Sequence, residues 1–345
     1  MKNNNPIILP AEWAEQDGVM LTWPNENTDW NDMLGRVIEV YIRLATEIVD
    51  YEKLLIVCDD KAKVSGHFSA AQLEKITLCQ LPYNDTWARD HGPLITFNDG
   101  RPAINDFGFN GWGGKFDAGL DNQITERLFK LGTFNAEVAY IDRKNFILEG
   151  GSVESDGQGT LLTTSACLLN RNRNSRLGQS DIENTLKESL GVQRILWLDH
   201  GHIEGDDTDS HIDTLARFCS ESTIAYVQCS DINDPHYADL KRMEEQLKTF
   251  STNKGAKYNL TPLPMVSPVF NSEGKRMGAT YANFLIINRA VLLPVYGAPE
   301  DPTAVRIMSQ LFPDRNIIAI NCLPLIEQNG SLHCVTMQLP KNVLK

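Results

Sequence analysis

The sequence predicts an α/β fold built from five helix-plus-strand modules. Three observations support this prediction: five segments have the apolar spacing of amphipathic helices, short apolar strand-like runs follow them, and four helix starts are separated by about sixty residues. A period of that size favours a repeated or radial architecture. An ordinary α/β domain with irregular insertions is the alternative, and the periodicity alone leaves both open.

The helices are predicted from the apolar stripe on one face and from their end signals. The first runs from about Asp29 to Asp50. The third has a capping-box spacing at Ser180–Glu183, and the fifth begins with Asp301 followed by Pro302. The remaining boundaries fall at about Leu120–Leu131, from Ser180 to near Gly191, at about Pro235–Phe250, and before Pro313.

Strands are predicted where short apolar runs come between polar or glycine-containing bends. After the first helix the expected order is Leu54–Cys58, a short helical piece near Ala70–Lys75, and Ile76–Leu81. Each of the other four helices is followed by one run: Val138–Ile141, Ile195–Leu198, Leu260–Val266 and Ile317–Ile320. Hairpin strands are expected at Gly159–Thr164, Ile224–Val227, Leu285–Asn288 and Val291–Val295.

Composition narrows the class of protein. The chain has 345 residues, 42% hydrophobic and 22% charged, which is typical of a globular protein with a sizeable core. A net charge of −13 without a Lys/Arg run argues against nucleic acid or an anionic membrane as partner. A net-negative field does favour a small cationic ligand.

The distribution of cysteines and apolar runs predicts a cytoplasmic protein. Seven cysteines are spread through the chain without a CxxC pair, which argues against a disulfide framework or a zinc ribbon. The first residues lack the apolar run of a signal peptide. The most apolar stretch, Phe284–Tyr296, is too short and too polar to cross a bilayer.

Polar side chains recur at the bend of each module, at the same position relative to the helix and strands of that module. If the modules are arranged radially, these bends point at one axis. The side chains that would converge there are Asp90, Glu149, His211, Asp213, Asn283 and Cys334.

That set has a chemical meaning. A thiol and an imidazole, here Cys334 and His211, form a nucleophile with its acid/base partner, and Glu149 can orient the imidazole. The carboxylates of Asp90 and Asp213 can clamp a planar guanidinium, which offers five donors and is always charged.

Each of these residues also has a plain structural interpretation. Cys334 fits a buried packing cysteine, and Glu149 fits a turn residue before Gly150. Asp90 fits a surface ion pair with Arg89. Asn283 fits a side chain bonded to hairpin backbone, and Trp87 and Trp112 fit the core as well as a substrate wall.

The acidic and histidine-rich segment His200–Asp213 raises the question of a metal site. It contains no HExxH, and read as a calcium loop from Asp207 it has Ile212 where glycine is required. A carboxylate-rich metallohydrolase stays as an alternative. Nucleotide-binding and serine-hydrolase motifs are absent from the sequence.

Six motifs in order resemble the agmatine deiminase and bacterial peptidylarginine deiminase family of the guanidine-modifying superfamily. They are WARDHGP, FNGWGGKF, LEGGS, DDTDSHID, YANF and GSLHCVTMQLP, and the resemblance runs from roughly Leu9 to Pro340. It implies a pentein fold, which is a five-bladed pseudo-symmetric α/β propeller, as one closed domain over residues 1–345. It also implies that neither a metal nor an organic cofactor is needed.

The resemblance further implies roles for individual residues. Cys334 would be the nucleophile, His211 the general acid/base and Glu149 its orienting partner, while Asp90 and Asp213 would bind the guanidinium. Further substrate contacts are expected from Trp87, Trp112, Asp207 and Asn283.

The reaction implied is hydrolysis of agmatine to N-carbamoylputrescine and ammonia through a thiouronium intermediate, a step towards putrescine. Three alternatives remain at this point: deimination of free or peptidyl arginine, a non-catalytic pentein that only binds cations, and the metallohydrolase. A homo-oligomer is left open.

Overall fold

Five mixed β-sheets form the framework of the protein, which the computed structural model describes over residues 7–345. In each sheet the two strands of an antiparallel pair lie side by side, and the second strand pairs in parallel with the next. The sheets, in strand order, are Ile7–Ile8 with Leu94–Asn98, Arg101–Gly108 and Ala139–Ile147; Val153–Ser155, Thr160–Thr164 and Arg194–Leu198; Ala216–Ser220, Thr223–Gln228 and Asn259–Pro264; Leu285–Ile287, Ala290–Val295 and Asn316–Asn321; and Thr336–Pro340, Gln16–Thr22, Lys53–Cys58 and Ile76–Gln80.

In every sheet a crossover helix lies between the second strand of the hairpin pair and the strand that pairs with it in parallel, as parallel pairing requires. These crossover helices are Leu34–Val49, Ile124–Lys130, Gln179–Leu190, Tyr237–Thr249 and Asp301–Leu311. In the fifth sheet a further parallel strand, Ile76–Gln80, follows two short helices. The predicted five modules are therefore confirmed as an α/β fold of mixed sheets. Shorter helices lie at Lys61–Ser65, Ala70–Leu73, Ala88–His91, Gly111–Gly114, Ser165–Leu168 and Leu323–Ile326, and 3-10 turns at Asn31–Met33, Asp121–Gln123, Gly150–Ser152 and Ile212–Thr214.

Two predicted N-caps differ from those observed, although both helices begin within one residue of the predicted start. The third crossover helix begins at Gln179 after Gly178, whose amide is capped by the carboxylate of Asp181, so Ser180 is not its N-cap. In the fifth helix Asp301 is the first helical residue. Its carboxylate accepts hydrogen bonds from the amides of Tyr296 and Ala298 in the preceding turn.

The first crossover helix shows why the apolar spacing predicts these elements well. Val37, Tyr41, Leu44 and Ile48 follow one another at intervals of three or four residues and are completely buried. Burying each side chain of this size contributes about 1.5–3 kcal/mol relative to leaving it in water. This face packs on the fifth and fourth sheets, which places the helix on the outside of the strands.

All seven cysteines lie in the described part of the chain, and all are buried and unpaired. Over residues 7–345, the helices fall short of the length and apolar character that crossing a membrane would take.

Candidate active site

The polar bends singled out from the sequence lie immediately before the first strand of each hairpin. Asp90 precedes the first hairpin, and the other bends precede the second to the fifth in chain order: Glu149, then His211 with Asp213, then Asn283, then Cys334. The five bends therefore occupy the same phase of five equivalent modules. That equivalence brings residues up to 244 positions apart into one place, as between Cys334 and Asp90.

Three of these side chains surround a single point next to Gly151. A Cβ atom added to Gly151 would lie 2.6 Å from Nδ1 of His211, 2.9 Å from Oδ1 of Asp90 and 3.1 Å from Oδ2 of Asp213. The Gly151 amide instead donates a hydrogen bond to Oδ1 of Asp90 at 2.9 Å. Glycine is required here because the space a side chain would fill is part of the site.

Cys334 is 5% exposed, and the side chain of Asn283 contacts its backbone amide and its sulfur. The Oδ1 atom of Asn283 accepts hydrogen bonds from the amides of His333 (2.9 Å) and Cys334 (3.3 Å) and lies 3.4 Å from the Cys334 Sγ atom. Asn283 is fully buried and does not line the pocket, which differs from the expected substrate contact. Burial, reinforced by the charges of Asp213 and Asp90, raises the pKa of Cys334, so the free protein holds a neutral thiol.

His211 is buried with both ring nitrogens unsatisfied. Neither nitrogen has a hydrogen-bond partner among residues 7–345, and the nearest carboxylate oxygen is Oδ1 of Asp90, 3.6 Å from Nδ1. Burial opposes the charged ring, but the pKa of His211 is raised well above its usual value, and the charge of Asp90 is foremost among the groups that raise it. A raised pKa favours the protonated ring, which can donate hydrogen bonds and a proton.

Glu149 approaches His211 without a hydrogen bond between them in the described structure. Its two carboxylate oxygens are both 2.9 Å from Nε of Arg173, whose Nη1 donates to Asp209 at 2.6 Å. A Glu149 oxygen, the Cys167 sulfur and a His211 ring nitrogen lie within 4.8 Å of one another. The carboxylate of Glu149 is therefore held by Arg173 close to His211, and its role in orienting the imidazole stays a prediction.

The two aspartates expected to bind a guanidinium differ in how they are held. Oδ2 of Asp90 accepts a hydrogen bond from Nε1 of Trp112 at 2.9 Å, and burial raises the pKa of Asp90 to about 6. Asp213 is also fully buried, but the hydrogen bond and charge of His333, 2.7 Å from Oδ2, bring its pKa below the usual value. Its other oxygen, Oδ1, has no partner among residues 7–345.

A pocket that opens to solvent reaches Cys334. Its lining contains aromatic rings, carboxylates and amide groups, and no Lys or Arg of residues 7–345 belongs to it: Asp29, Asp85, Trp87, Asp90, Trp112, Phe116, Asp207, Thr208, Gln328, Asn329, Gly330 and Cys334. Asp90 and Cys334 are buried, whereas Asp29 and Phe116 are exposed. The predicted substrate residues Trp87, Trp112 and Asp207 all lie in this lining.

Asp85 is a lining residue that the sequence reasoning missed. Its Oδ2 accepts a hydrogen bond from Nε1 of Trp87 at 3.0 Å, and burial raises its pKa to about 7. The available signal was its position in the same motif as Trp87 and Asp90. Phe116 and Asp29 were missed as well.

Backbone strain is concentrated around the pocket. Trp112, Asp209, Ser210 and Asn329 all have φ between +54° and +66°, a conformation that L-residues adopt only when the surroundings enforce it. Asp206 enforces it before His211, because its carboxylate accepts hydrogen bonds from the amides of Thr208 and Ser210. The hydrogen bonds of Asp206 thus hold the strained backbone at Asp209 and Ser210, immediately before His211.

Two clusters combine enough metal-ligand side chains to be considered as metal centres: Glu149 with Cys167 and His211, and Glu12 with Glu154 and His333. In the first, Arg173 already occupies the carboxylate. In the second, Arg217 contacts both carboxylates. In each cluster, therefore, the guanidinium of an arginine side chain already pairs with the carboxylates that a metal ion would need.

Comparison with known proteins identifies relatives over almost the whole chain. A family described as Porphyromonas-type peptidyl-arginine deiminase matches residues 8–340. An agmatine deiminase of Stutzerimonas stutzeri (strain A1501) is 31% identical, with the alignment covering 96% of this chain and 95% of that protein.

Two solved structures are closely similar. A candidate arginine deiminase of Porphyromonas gingivalis is 50% identical, with a TM-score of 0.95 and coverage of 98% of this chain and 100% of that one. An agmatine deiminase of C. jejuni, a cysteine-to-serine variant solved with substrate bound, is 38% identical, with a TM-score of 0.89 and coverage of 97% and 96%.

Proposed function

This chain belongs to the family of Porphyromonas-type peptidyl-arginine deiminases, and we propose that it is an agmatine deiminase. It hydrolyses agmatine to N-carbamoylputrescine and ammonia, a C–N bond cleavage at a linear amidine. The reaction places it on a route from agmatine to putrescine.

The observation that carries the substrate assignment is the acidic pocket without a basic lining residue. Agmatine has a guanidinium at one end, an ammonium at the other and no carboxylate. Asp85 and Asp207 line the pocket, and the neighbouring Lys115, which donates to the Asp207 carbonyl oxygen, is already paired with the carboxylate of Asp209. Like charges in a partly buried site are unfavourable, so this lining favours agmatine over arginine.

Substrate binding satisfies groups that the free protein leaves unpaired. The guanidinium N–H groups meet the unpartnered Oδ1 of Asp213 and the carboxylate of Asp90, and the two negative charges match the cation. Trp87 and Trp112 enclose the aliphatic chain, and Asp207 attracts the distal ammonium.

The same binding activates the nucleophile. The substrate's charge neutralises Asp90 and Asp213, which together with burial hold the pKa of Cys334 high, so the thiol gives up its proton to solvent. The thiolate attacks the guanidinium carbon. His211, already protonated, donates its proton to the departing nitrogen, and ammonia leaves a thiouronium adduct on Cys334.

The second half of the reaction reverses the proton transfer. The neutral His211 takes a proton from water, and the hydroxide adds to the thiouronium carbon. The C–S bond then breaks while the added hydroxyl gives up its proton to form the ureido C=O, and that proton restores the Cys334 thiol as the product leaves. The agmatine guanidinium and water enter, and N-carbamoylputrescine, ammonia and the proton first released by Cys334 leave, without a redox step.

The five equivalent sheets support a five-bladed pentein arrangement of one domain over residues 1–345, with the polar bends on its axis. Seven unpaired, buried cysteines are consistent with a reducing compartment, the cytoplasm.

The test is release of ureido product and ammonia from agmatine, arginine and a peptide ending in arginine. Turnover of agmatine, abolished in Cys334→Ala and retained in Cys58→Ala, is the expected result. Cys58 is a buried thiol in a strand of the fifth sheet, so it controls for loss of a cysteine as such. Turnover of arginine instead of agmatine would retain the chemistry and overturn the substrate assignment.

A further inference from the structure

Glu12 is a buried carboxylate that the reaction scheme does not use. It lies on the segment before the strand Gln16–Thr22 and is 8% exposed. Its Oε1 accepts a hydrogen bond from the Ile286 amide at 2.7 Å, and its Oε2 accepts one from Nη2 of Arg217 at 2.9 Å. Burial of a carboxylate costs solvation free energy, and charged or hydrogen-bonding partners are needed to offset that cost.

A second partner of Oε2 connects Glu12 to the active site. His333 lies between two carboxylates, with Nε2 2.7 Å from Oε2 of Glu12 and Nδ1 2.7 Å from Oδ2 of Asp213. An ionised carboxylate only accepts hydrogen bonds, so each contact needs one proton, and two protons serve the three groups. The imidazolium form of His333 between two ionised carboxylates satisfies this count.

Glu12 opposes the groups that disfavour a proton on His333. Burial and the charges of Arg217 and Arg89 lower the pKa of His333, and Glu12 is foremost among the groups that act in the opposite direction. Arg89 lies 3.7 Å from the same Oε2 atom, so Glu12 also neutralises the two arginines that would otherwise face the ring.

The contact has a consequence for the substrate side of Asp213. Because His333 holds Oδ2, only Oδ1 stays without a partner in the described structure. His333 also immediately precedes Cys334, and both amides are fixed by Asn283. The His333 ring therefore orients the guanidinium-binding carboxylate of Asp213, and the His333 backbone adjoins the nucleophile Cys334.

We propose that Glu12 is a positioning residue of this active site, which acts through His333 to hold Asp213 with one oxygen committed and the other presented to the guanidinium. The proposal rests on the proposed function in that Asp213 binds the guanidinium of agmatine. It adds a residue from the start of the chain, outside every motif of the sequence analysis.

The test is a binding cycle in the Cys334→Ala background, where agmatine is bound but not turned over. Calorimetry gives the agmatine Kd for Glu12→Gln, Asp213→Asn and the double variant. Glu15→Gln is the matched control, because Glu15 is on the same segment but forms an exposed pair with Lys341.

Glu12→Gln is expected to weaken agmatine binding about tenfold, the coupling expected of hydrogen-bonded neighbours, whereas Glu15→Gln leaves the Kd unchanged. If Glu12 acts through Asp213, adding Glu12→Gln to Asp213→Asn causes no further loss. Additive losses, or a Glu12→Gln protein that binds as tightly as the control, would overturn the proposal.

A second measurement keeps the proposal testable if Glu12→Gln does not fold. In ¹⁵N-histidine NMR of the otherwise unaltered protein, with His333 assigned by its loss in His333→Asn, both ring nitrogens are expected to have the shifts of hydrogen-bonded nitrogens, and Nδ1 is expected to carry the proton that faces Asp213. A free Nε2, or an Nδ1 without a proton, would overturn the proposal. Absence of agmatine turnover in the unsubstituted protein would instead count against the proposed function, and this spectrum would be unaffected by it.

Discussion

At the scale of single residues, burial sets the resting protonation of each reacting group. It raises the pKa of Asp85 to about 7 and of Asp90 to about 6, and it keeps Cys334 as a thiol. His211 goes the other way and holds a proton because carboxylates surround it. The free site therefore carries less negative charge than its number of carboxylates indicates. A cationic substrate favours the ionised form of these carboxylates.

The pH profile follows from these shifts. Asp85 and Asp90 must be ionised to attract a cation, and their pKa values are raised, so kcat/KM for agmatine should rise from about pH 5.5 to about pH 8. Asp85→Asn removes the group near 7, so kcat/KM at neutral pH should fall and the midpoint of the acid limb should move towards 6. Initial rates across this range check it. A profile that is flat or falls over this interval would show that these carboxylates do not govern binding.

The reacting residues could be predicted from the sequence because each stands in a short local motif. Asp90, His211 and Cys334 are next to tight turns or glycines that mark the bends. Glu12 and Arg173 were missed for a physical reason: their functions depend on contacts made across the fold, 321 residues away in the case of Glu12 and His333. Nothing in their immediate neighbours signals that contact.

At the scale of elements, the short turn before each hairpin is what delivers a side chain to the site. In the second module this is the 3-10 turn Gly150–Ser152, which directly follows Glu149. Its Gly151 lies against three charged side chains. The turn thus has to pass close to the site without occupying it.

Gly151→Ala should remove activity without unfolding the protein. The new methyl group would lie under 3 Å from His211 and from Asp90, in space that the guanidinium needs. A displacement of reacting groups by about 1 Å can cost about a hundredfold in rate, so kcat/KM should fall by at least that much. Gly35→Ala is the matched control, because Gly35 is in a helix with nothing within 4 Å of an added Cβ. Near-normal kinetics in Gly151→Ala would mean that the guanidinium binds elsewhere.

Element prediction succeeded where the apolar pattern was long. All five crossover helices and the parallel strands after them follow from periodicity and short apolar runs. The strands Gln16–Thr22 and Arg101–Gly108 escaped detection because polar residues and glycine interrupt their apolar pattern. The first hairpin strands of most modules were missed as well, among them Val153–Ser155 and Ala216–Ser220, which contain polar residues and no continuous apolar run. The site residues stand just before the first hairpin strands, so the apolar sequence pattern is weakest next to the reacting side chains.

At the scale of the whole molecule, the first and last long strands close the chain on itself. Thr336–Pro340 pairs antiparallel with Gln16–Thr22, with Met337 opposite Met20. This pairing brings Glu12, just before the first long strand, next to His333 and Cys334, just before the last. The number and order of modules could be predicted from sequence, whereas this joining of the ends could not, since it rests on a non-local pairing.

The central claim is that Cys334 carries the guanidine carbon of agmatine during turnover. Acid quenching of the enzyme with excess agmatine, followed by mass spectrometry of peptides, tests it most directly. The peptide that contains Cys334 should gain the mass of agmatine less ammonia, and it should lose the adduct when agmatine is exhausted. An adduct on Cys167, or turnover with no modified cysteine under the same quench, would contradict the assignment of Cys334 as the nucleophile.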